Sequence, residues 1–374
     1  MKLKSVILTI ILGFFYPFSV LFKVHRNRIT FISLEHANLS KDFRLLYDRL
    51  QRDSDYDLQT VLFKFEPDFW GNLRYGMACI RQLFLIQSSR LVIIDYNNFV
   101  VSRFPHKKKV KVLQLWHATG ALKQFGNDVD RDYVIHHYDY VIANSDFFRP
   151  IYSRAFNIPE SCVKVTGIPN NDKIFKKEFV EKTKKELLEK YPELRGKTVI
   201  TYAPTFRGRI STRFKEAKID LGALYQKLGN DYIIIYKAHP LIAHSKYARN
   251  PNVLFIKDEL ISSIFCVTDI LISDYSAITI DWMAFNKPVV AYVPDLKKYA
   301  RKPGLNIDYM SEFPGAVVKD EEGLAEALKT GDIKEGQQRR ARFTNKMYKY
   351  LDGEATGRVF ELIKTIMDDK KNDV

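Results

Sequence analysis

Apolar residues along this 374-residue chain come in short runs separated by amphipathic or charged stretches. ITFISL (29–34), LQTVLFKF (58–65), LVIIDYN (91–97), KVLQLWH (111–117), YVIANS (140–145) and VKVTGIP (163–169) have strand length, and most lack the alternation of a sheet with one wet face. They predict strands buried on both faces, as in a parallel sheet. After NDKIFKKEFVEKTKKELLEKYPELRGK (171–197), a charged segment with helical spacing, the pattern restarts with TVITYAP (198–204), YIIIYKAHP (232–240), VLFIKD (253–258), ILISDYS (270–276) and PVVAYVP (288–294). Helical sequence closes the chain at 321–328 and 336–368. This pattern predicts an α/β protein with two doubly wound domains, 25–175 and 176–374, the terminal helices belonging to the second. Ligands of such sheets collect outside the carboxyl ends of the strands, so a cleft between the domains is where chemistry is expected.

Residues 1–24 depart from this pattern. SVILTIILGFFYPFSVLF (5–22) carries no charge over eighteen residues and is flanked by Lys2 and Lys4 before it and by Lys23, Arg26 and Arg28 after it. That is the short limit for spanning a bilayer, Gly13 and Pro17 are expected to interrupt the helix, and no small-residue cleavage site follows. An embedded or interfacial anchor with the body on the cytoplasmic side is the preferred expectation; an apolar first helix packed into the domain is the alternative. WGNLRYGMACIRQLFLIQ (70–87) and RFPHKKKVK (103–111) offer a second membrane contact or simply a solvated face.

Composition narrows the function classes. Three cysteines, far apart and odd in number, suggest neither a disulfide framework nor a metal site and fit a reducing compartment. Lys and Arg exceed Asp and Glu by 59 to 44, a net +15, which favours anionic partners: a membrane surface, phosphorylated small molecules or nucleic acid. No recognisable nucleic-acid module supports the last of these. Neither a P-loop nor a dinucleotide fingerprint is present. Polar clusters do fall at predicted strand ends: WHATG (116–120), YAPTFRGR (202–209), YKAHP (236–240) and SDYSAITID (273–281). A histidine there projects a near-neutral base towards a cleft, which makes His117 and His239 candidates, although each taken singly serves equally well as a packed structural ring. His136 and His137, in an aromatic run, look like packing residues. SDYSA before ITIDWMAF predicts a strand, a tight turn and a helix whose first N–H groups, with Ser276, suit a phosphate; a plain N-cap is the alternative for Ser276. Arg207 suits a bidentate phosphate contact or an exposed surface position. The carboxylate pair of NDVDRD (127–132) carries little weight as a metal site, and no protein-held metal is expected; any Mg²⁺ is expected to arrive with a donor pyrophosphate.

The combination of WHATGALKQFG, YAPTFRG, KAHP and TDILISDYSAITIDWMAFNKPVVAYVPD, in this order, resembles the CDP-glycerol glycerophosphotransferases that build wall teichoic acid. The likeness covers about residues 110–315. It implies two Rossmann-like domains in a glycosyltransferase-B-like arrangement, an N-terminal membrane-associated segment, CDP-glycerol as donor and an undecaprenyl-diphosphate-linked disaccharide as acceptor. Membrane association and other teichoic acid enzymes are further implied partners, with no nucleic acid. Ala-x-Gly-Ala-x-Lys-Gln-Phe-Gly after Trp-His resembles the primase branch, which adds the first glycerol phosphate, whereas polymerases read Trp-His-Gly-Thr-Pro and carry paired serines where this chain has Ser276-Ala277. On this reading His117 is the base, with His239 beside it. Arg207, Ser276 and the backbone after Ser273 hold pyrophosphate, with Trp116, Thr119, Thr205, Asp274 and Asp281 as further substrate contacts. Lys123 and Arg149 rank behind them. A polymerase, a ribitol-phosphate transferase or a nucleotide-sugar glycosyltransferase of the same build is the enzyme alternative, and a membrane-bound assembly scaffold the non-enzyme one.

Overall fold

The computed structural model describes residues 2–66, 68–205, 207–209, 212–215, 219–237, 253–330 and 334–369. The chain divides into two compact units, one of Met1–Ala118, Phe125–Asp172 and Asp352–Val374, the other of Thr119–Gln124 and Lys173–Leu351.

The first unit runs α1 (Lys2–Val20), β1 (His25–Ser33), α2 (Lys41–Asp53), β2 (Asp57–Leu62), α3 (Phe69–Ser88), β3 (Ser89–Ile94), α4 (Phe99–Arg103), β4 (Lys111–Gln114), β5 (Tyr140–Ala143), α5 (Phe148–Phe156) and β6 (Val163–Val165). Its strands form one parallel sheet in the order β2-β1-β3-β4-β5-β6. Every residue of β3 is buried, including its apolar stretch Leu91–Ile94, as expected of a parallel strand covered on both faces. Alternate residues Ile29, Phe31, Leu91, Ile93 and Leu113 face Phe43, Leu46 and Leu50 of α2, which the Ser40 hydroxyl caps.

The second unit runs α6 (Lys177–Lys190), β7 (Thr198–Tyr202), β8 (Arg207–Arg209), β9 (Thr212–Lys215), α7 (Leu221–Leu228), β10 (Tyr232–Tyr236), β11 (Val253–Phe255), α8 (Ile261–Ile264), β12 (Ile270–Ser273), α9 (Ile278–Trp282), β13 (Val289–Tyr292), α10 (Leu296–Arg301), α11 (Tyr309–Glu312), β14 (Ala316–Val318), α12 (Glu321–Thr330) and α13 (Lys334–Met347). Its parallel sheet has the order β11-β10-β7-β12-β13-β14, and β8 and β9 form a separate antiparallel pair. Ile200, Tyr202, Ile234, Tyr236 and Ile272 pack against α7 and α12 on one face, while Val199 and Ile235 meet Leu187 of α6 and Ile264 of α8 on the other.

Two expectations are corrected, the placement of the last helix and the breaks in the first. The last helix, α14 (Ala355–Asp368), belongs to the first unit, where Val359, Phe360, Ile363 and Ile366 join the core of β1 and β3. Gly13 and Pro17 do not interrupt α1, which continues through both. One side of α1 lies against α3, and among the described residues no helix is long and apolar enough to cross a membrane. The helix after SDYSA has five residues and passes into a 3₁₀ turn that ends at Asn286 in the left-handed conformation, so little aligned dipole stands behind its first N–H groups.

Candidate active site

Both sheets reverse their strand order once, between β1 and β3 in the first unit and between β7 and β12 in the second. The carboxyl ends beside such a reversal leave a crevice that no crossover helix covers.

In the first unit, β4 ends at Gln114, and Leu115 N–H still donates to the Ile94 carbonyl at 2.8 Å. The buried Gln114 amide then ties two chain segments together. Its Nε2 donates to the Tyr96 carbonyl at 3.1 Å and its Oε1 accepts from Trp116 N–H at 2.8 Å. Trp116 sits at φ 59°, a left-handed conformation that costs a non-glycine residue on the order of 1 kcal/mol and clusters at functional positions. Its indole is held inward, 4.7 Å from Phe125 and 5.3 Å from Phe156. The turn sends the next residue, His117, outward, so its imidazole is exposed. That ring stacks on Tyr96 with centroids 4.2 Å apart and planes 9° apart, and Trp116 lies 4.0 Å away on a tilt. His36 meets the same Tyr96 edge-on at 5.8 Å.

Near Tyr96 lie carboxyl groups that motif reading missed. Burial lifts Asp95 to about 6, with the Ser33 and Ser40 hydroxyls beside it holding back the rise although neither carboxyl oxygen has a partner in hydrogen-bond geometry. Burial also lifts Asp42 to about 6, against the 2.8 Å bond it accepts from Asn170 N–H. Glu35 is raised by burial and eased by His36, and burial followed by the Asp95 charge pushes the Tyr96 phenol to about 12. Glu35, His36, Asp95 and Tyr96 all follow β1 or β3 directly, at the strand-order reversal. The signal that finds them is sheet order, which the run of apolar segments does not carry.

In the second unit the reversal brings Thr205 and Asp274 together. Asp274 Oδ1 accepts from Thr205 N–H at 2.9 Å and from its hydroxyl at 2.7 Å, and the Tyr309 hydroxyl donates to the Asp274 carbonyl at 2.9 Å. Ser273 Oγ is fully buried and donates to the Ala203 carbonyl at 3.1 Å. Thr205, Ser273 and Asp274 therefore brace the ends of β7 and β12, with Tyr309 behind Asp274. Tyr275 stacks on Tyr299 at 3.7 Å and donates to Asp295, leaving half-buried Ser276 at the turn, where its hydroxyl accepts from Ile278 N–H at 3.4 Å. Thr119 donates its hydroxyl to Asp281. The peptide that follows Thr119 is read by Asn306, whose amide donates to the Ala121 and Lys123 carbonyls at 3.0 Å each. WHATGALKQFG is thus shared: His117 is a first-unit residue and Thr119–Gln124 a second-unit segment. Arg149, in the first turn of α5, is engaged with Asp146 at 2.8 Å and with the Val163 carbonyl. His239 and the Arg207 side chain lie outside the described residues. Among the described residues no group of three or more His, Cys, Asp or Glu is arranged to hold a metal ion.

Comparison with known proteins supplies the family. Teichoic acid ribitol-phosphate primase of Bacillus spizizenii is 27% identical over 365 residues, covering 93% of this chain and 94% of that protein. Teichoic acid glycerol-phosphate primase of Bacillus subtilis is 29% identical over 314 residues, 77% of each chain. The structure of the wall teichoic acid polymerase TagF superimposes with a TM-score of 0.68 over 93% of this chain and 90% of that one at 23% identity, which shows a shared fold. Residues 14–365 match the CDP-glycerol:poly(glycerophosphate) glycerophosphotransferase family, and the chain belongs to that family, as a phosphotransferase enzyme of teichoic acid synthesis.

Proposed function

We propose that the protein is a membrane-associated primase that moves glycerol phosphate from CDP-glycerol to a lipid-linked amino-sugar disaccharide and releases CMP. The carrying observation is the exposed His117 imidazole, presented by a strained turn at a strand end and flanked by two aromatic rings. An acceptor hydroxyl attacks the glycerol-bearing phosphorus, the new O–P bond forms as the pyrophosphate bridge to CMP breaks, and His117 takes the hydroxyl proton. Such transfer depends mainly on positioning and on stabilising spread negative charge. Ser276, Arg207, His239 and the backbone after Ser273 are assigned to the pyrophosphate, with Thr205, Asp274 and Asp281 supporting their loops and Thr119 held by Asp281. Any Mg²⁺ brought by the donor would supply further positive charge at the pyrophosphate.

Membrane association is supported by α1. Val6, Ile7, Ile10, Ile11, Phe14 and Phe18 are exposed and fall within an arc of about 140° at 100° per residue. Leu12, on the opposite side, is fully buried. Phe69, Trp70, Leu73 and Met77 add exposed apolar surface on α3, which α1 packs against. The combination suits a helix lying in the interface on the cytoplasmic side.

A second reading, transfer of ribitol phosphate, is favoured by the near end-to-end match to a ribitol-phosphate primase. Incubation with lipid-linked disaccharide and either CDP-glycerol or CDP-ribitol, followed by mass spectrometry of the lipid product, separates the two. One added glycerol phosphate is expected. A ribitol phosphate adduct would replace the donor assignment, while a long ladder or a hexose adduct would sink the primase reading. His117→Ala is expected to lose about 10²–10⁴ in rate and stay folded; near wild-type turnover removes His117 from the role of base.

A further inference from the structure

An exposed imidazole has free rotation about two bonds, and a base that wanders is a poor one. The three features around His117 remove that freedom from different directions. Gln114 joins the Tyr96 and Trp116 backbones through one buried amide, so the segment after β3 and the segment after β4 move as a piece. Trp116 fixes the direction in which the chain leaves the sheet, because its indole is locked among Phe125 and Phe156. Tyr96 then covers one imidazole face almost in parallel, at 4.2 Å. The Tyr96 ring is steadied in turn by His36 against its own surface. Aromatic contact of this kind favours one ring orientation by roughly 2- to 12-fold beyond the area it buries.

We propose that Tyr96 is a positioning residue for the transfer reaction: its ring, tied to the His117 turn by Gln114, holds the His117 imidazole in the orientation from which it accepts the acceptor's proton. The role rests on the reading of His117 as base. It requires the aromatic face of Tyr96 and makes no use of the phenol proton, which burial keeps in place far above neutral pH.

Kinetics with CDP-glycerol and lipid-linked disaccharide test it. Tyr96→Leu is expected to lower kcat by about 10-fold with KM for the donor unchanged, as the ring contact and the orientation it favours are lost together. Tyr96→Phe, which keeps the ring, restores the rate. In a His117→Ala background the same Tyr96→Leu change costs nothing further, since two residues acting as one unit are not additive. Should Tyr96→Leu not fold, Tyr96→Met takes its place, with circular dichroism as the check. A second readout needs no turnover: the His117 imidazole proton resonances, assigned by their loss in His117→Ala, move downfield in Tyr96→Leu as the shielding ring is removed. A folded Tyr96→Leu enzyme with wild-type kcat, full additivity with His117→Ala, or unmoved imidazole resonances would overturn the role while leaving the transferase reading intact. A wild-type protein that releases no CMP from either donor overturns that reading, and the positioning role falls with it.

Discussion

Asp95 stands directly before Tyr96, and its burial has a consequence for stability as well as for the site. An unfolded aspartate ionises near 3.8, whereas the folded Asp95 carboxyl ionises at about 6. Between those values the native state keeps a proton that the unfolded chain has released, so this group's contribution is complete below the window and is lost as pH rises through it. Asp42, lifted to about 6 as well and repelled by Asp95, follows the same direction. A shift of this size corresponds to roughly 2–3 kcal/mol. Asp95→Asn keeps the shape and removes the charge, so relative to wild type it is expected to be more stabilising at pH 7 than at pH 4.5 by roughly 2 kcal/mol. Urea unfolding at the two pH values checks this; a constant difference between variant and wild type rules it out. His117 itself was legible from its strand-end place and its motif. Asp95 and Tyr96 were not, because an Asp-Tyr pair after an apolar run is ordinary in any α/β protein and gains meaning only when β3 is known to lie beside both β1 and β4.

At the scale of elements, α14 shows how a distant segment supports that site. Its N-cap residue, Glu354, supplies no side-chain bond to the first turn. Asp172 does so from outside the helix, accepting from Ala355 N–H and Thr356 N–H at 2.8 Å each and from the Thr356 hydroxyl at 2.6 Å. Ahead of that cap, Phe360 and Ile363 enter the core behind β1 and β3, with the Arg49 guanidinium 4.7 Å from the Phe360 ring. Asp172→Ala is expected to cost about 1–2 kcal/mol as a lost cap, and Phe360→Ala about 3–5 kcal/mol as a core cavity. Denaturant titration of both variants measures the costs; a Phe360→Ala protein as stable as wild type would mean that α14 does not complete this core. The helix's existence was readable from its apolar stripe, but its partner was not. An amphipathic stripe says that a face is covered and leaves open which sheet covers it, so both terminal helices were expected on the second domain. The short β14, three residues long, and the charged β8–β9 pair carry too little apolar pattern to stand out.

Across the whole molecule, the two-sheet plan was legible because buried parallel strands leave near-continuous apolar runs, and the charge of +15 pointed to an anionic partner without choosing one. The exposed arc of α1 is what supports the proposed membrane surface. On that proposal, an apolar stripe of Ile10, Phe14 and Phe18 would insert at an interface, while surplus Lys and Arg would be drawn to anionic headgroups at about 1 kcal/mol each near the surface. The two contributions separate by experiment, since salt screens the second and leaves the first. Full-length protein is expected to sediment with phosphatidylglycerol vesicles more than with phosphatidylcholine vesicles, and about 0.5 M salt should close most of that gap. Replacing Ile10→Glu and Phe14→Glu together should abolish sedimentation at low and high salt alike, without changing the thermal unfolding midpoint, because both side chains are exposed and outside the core. Transfer to a water-soluble acceptor analogue should survive the double substitution, whereas transfer to the lipid-linked acceptor in vesicles should fall. Retained vesicle binding in the double variant would show that α1 is not the docking face, and equal loss on both acceptors would place α1 in catalysis instead of delivery.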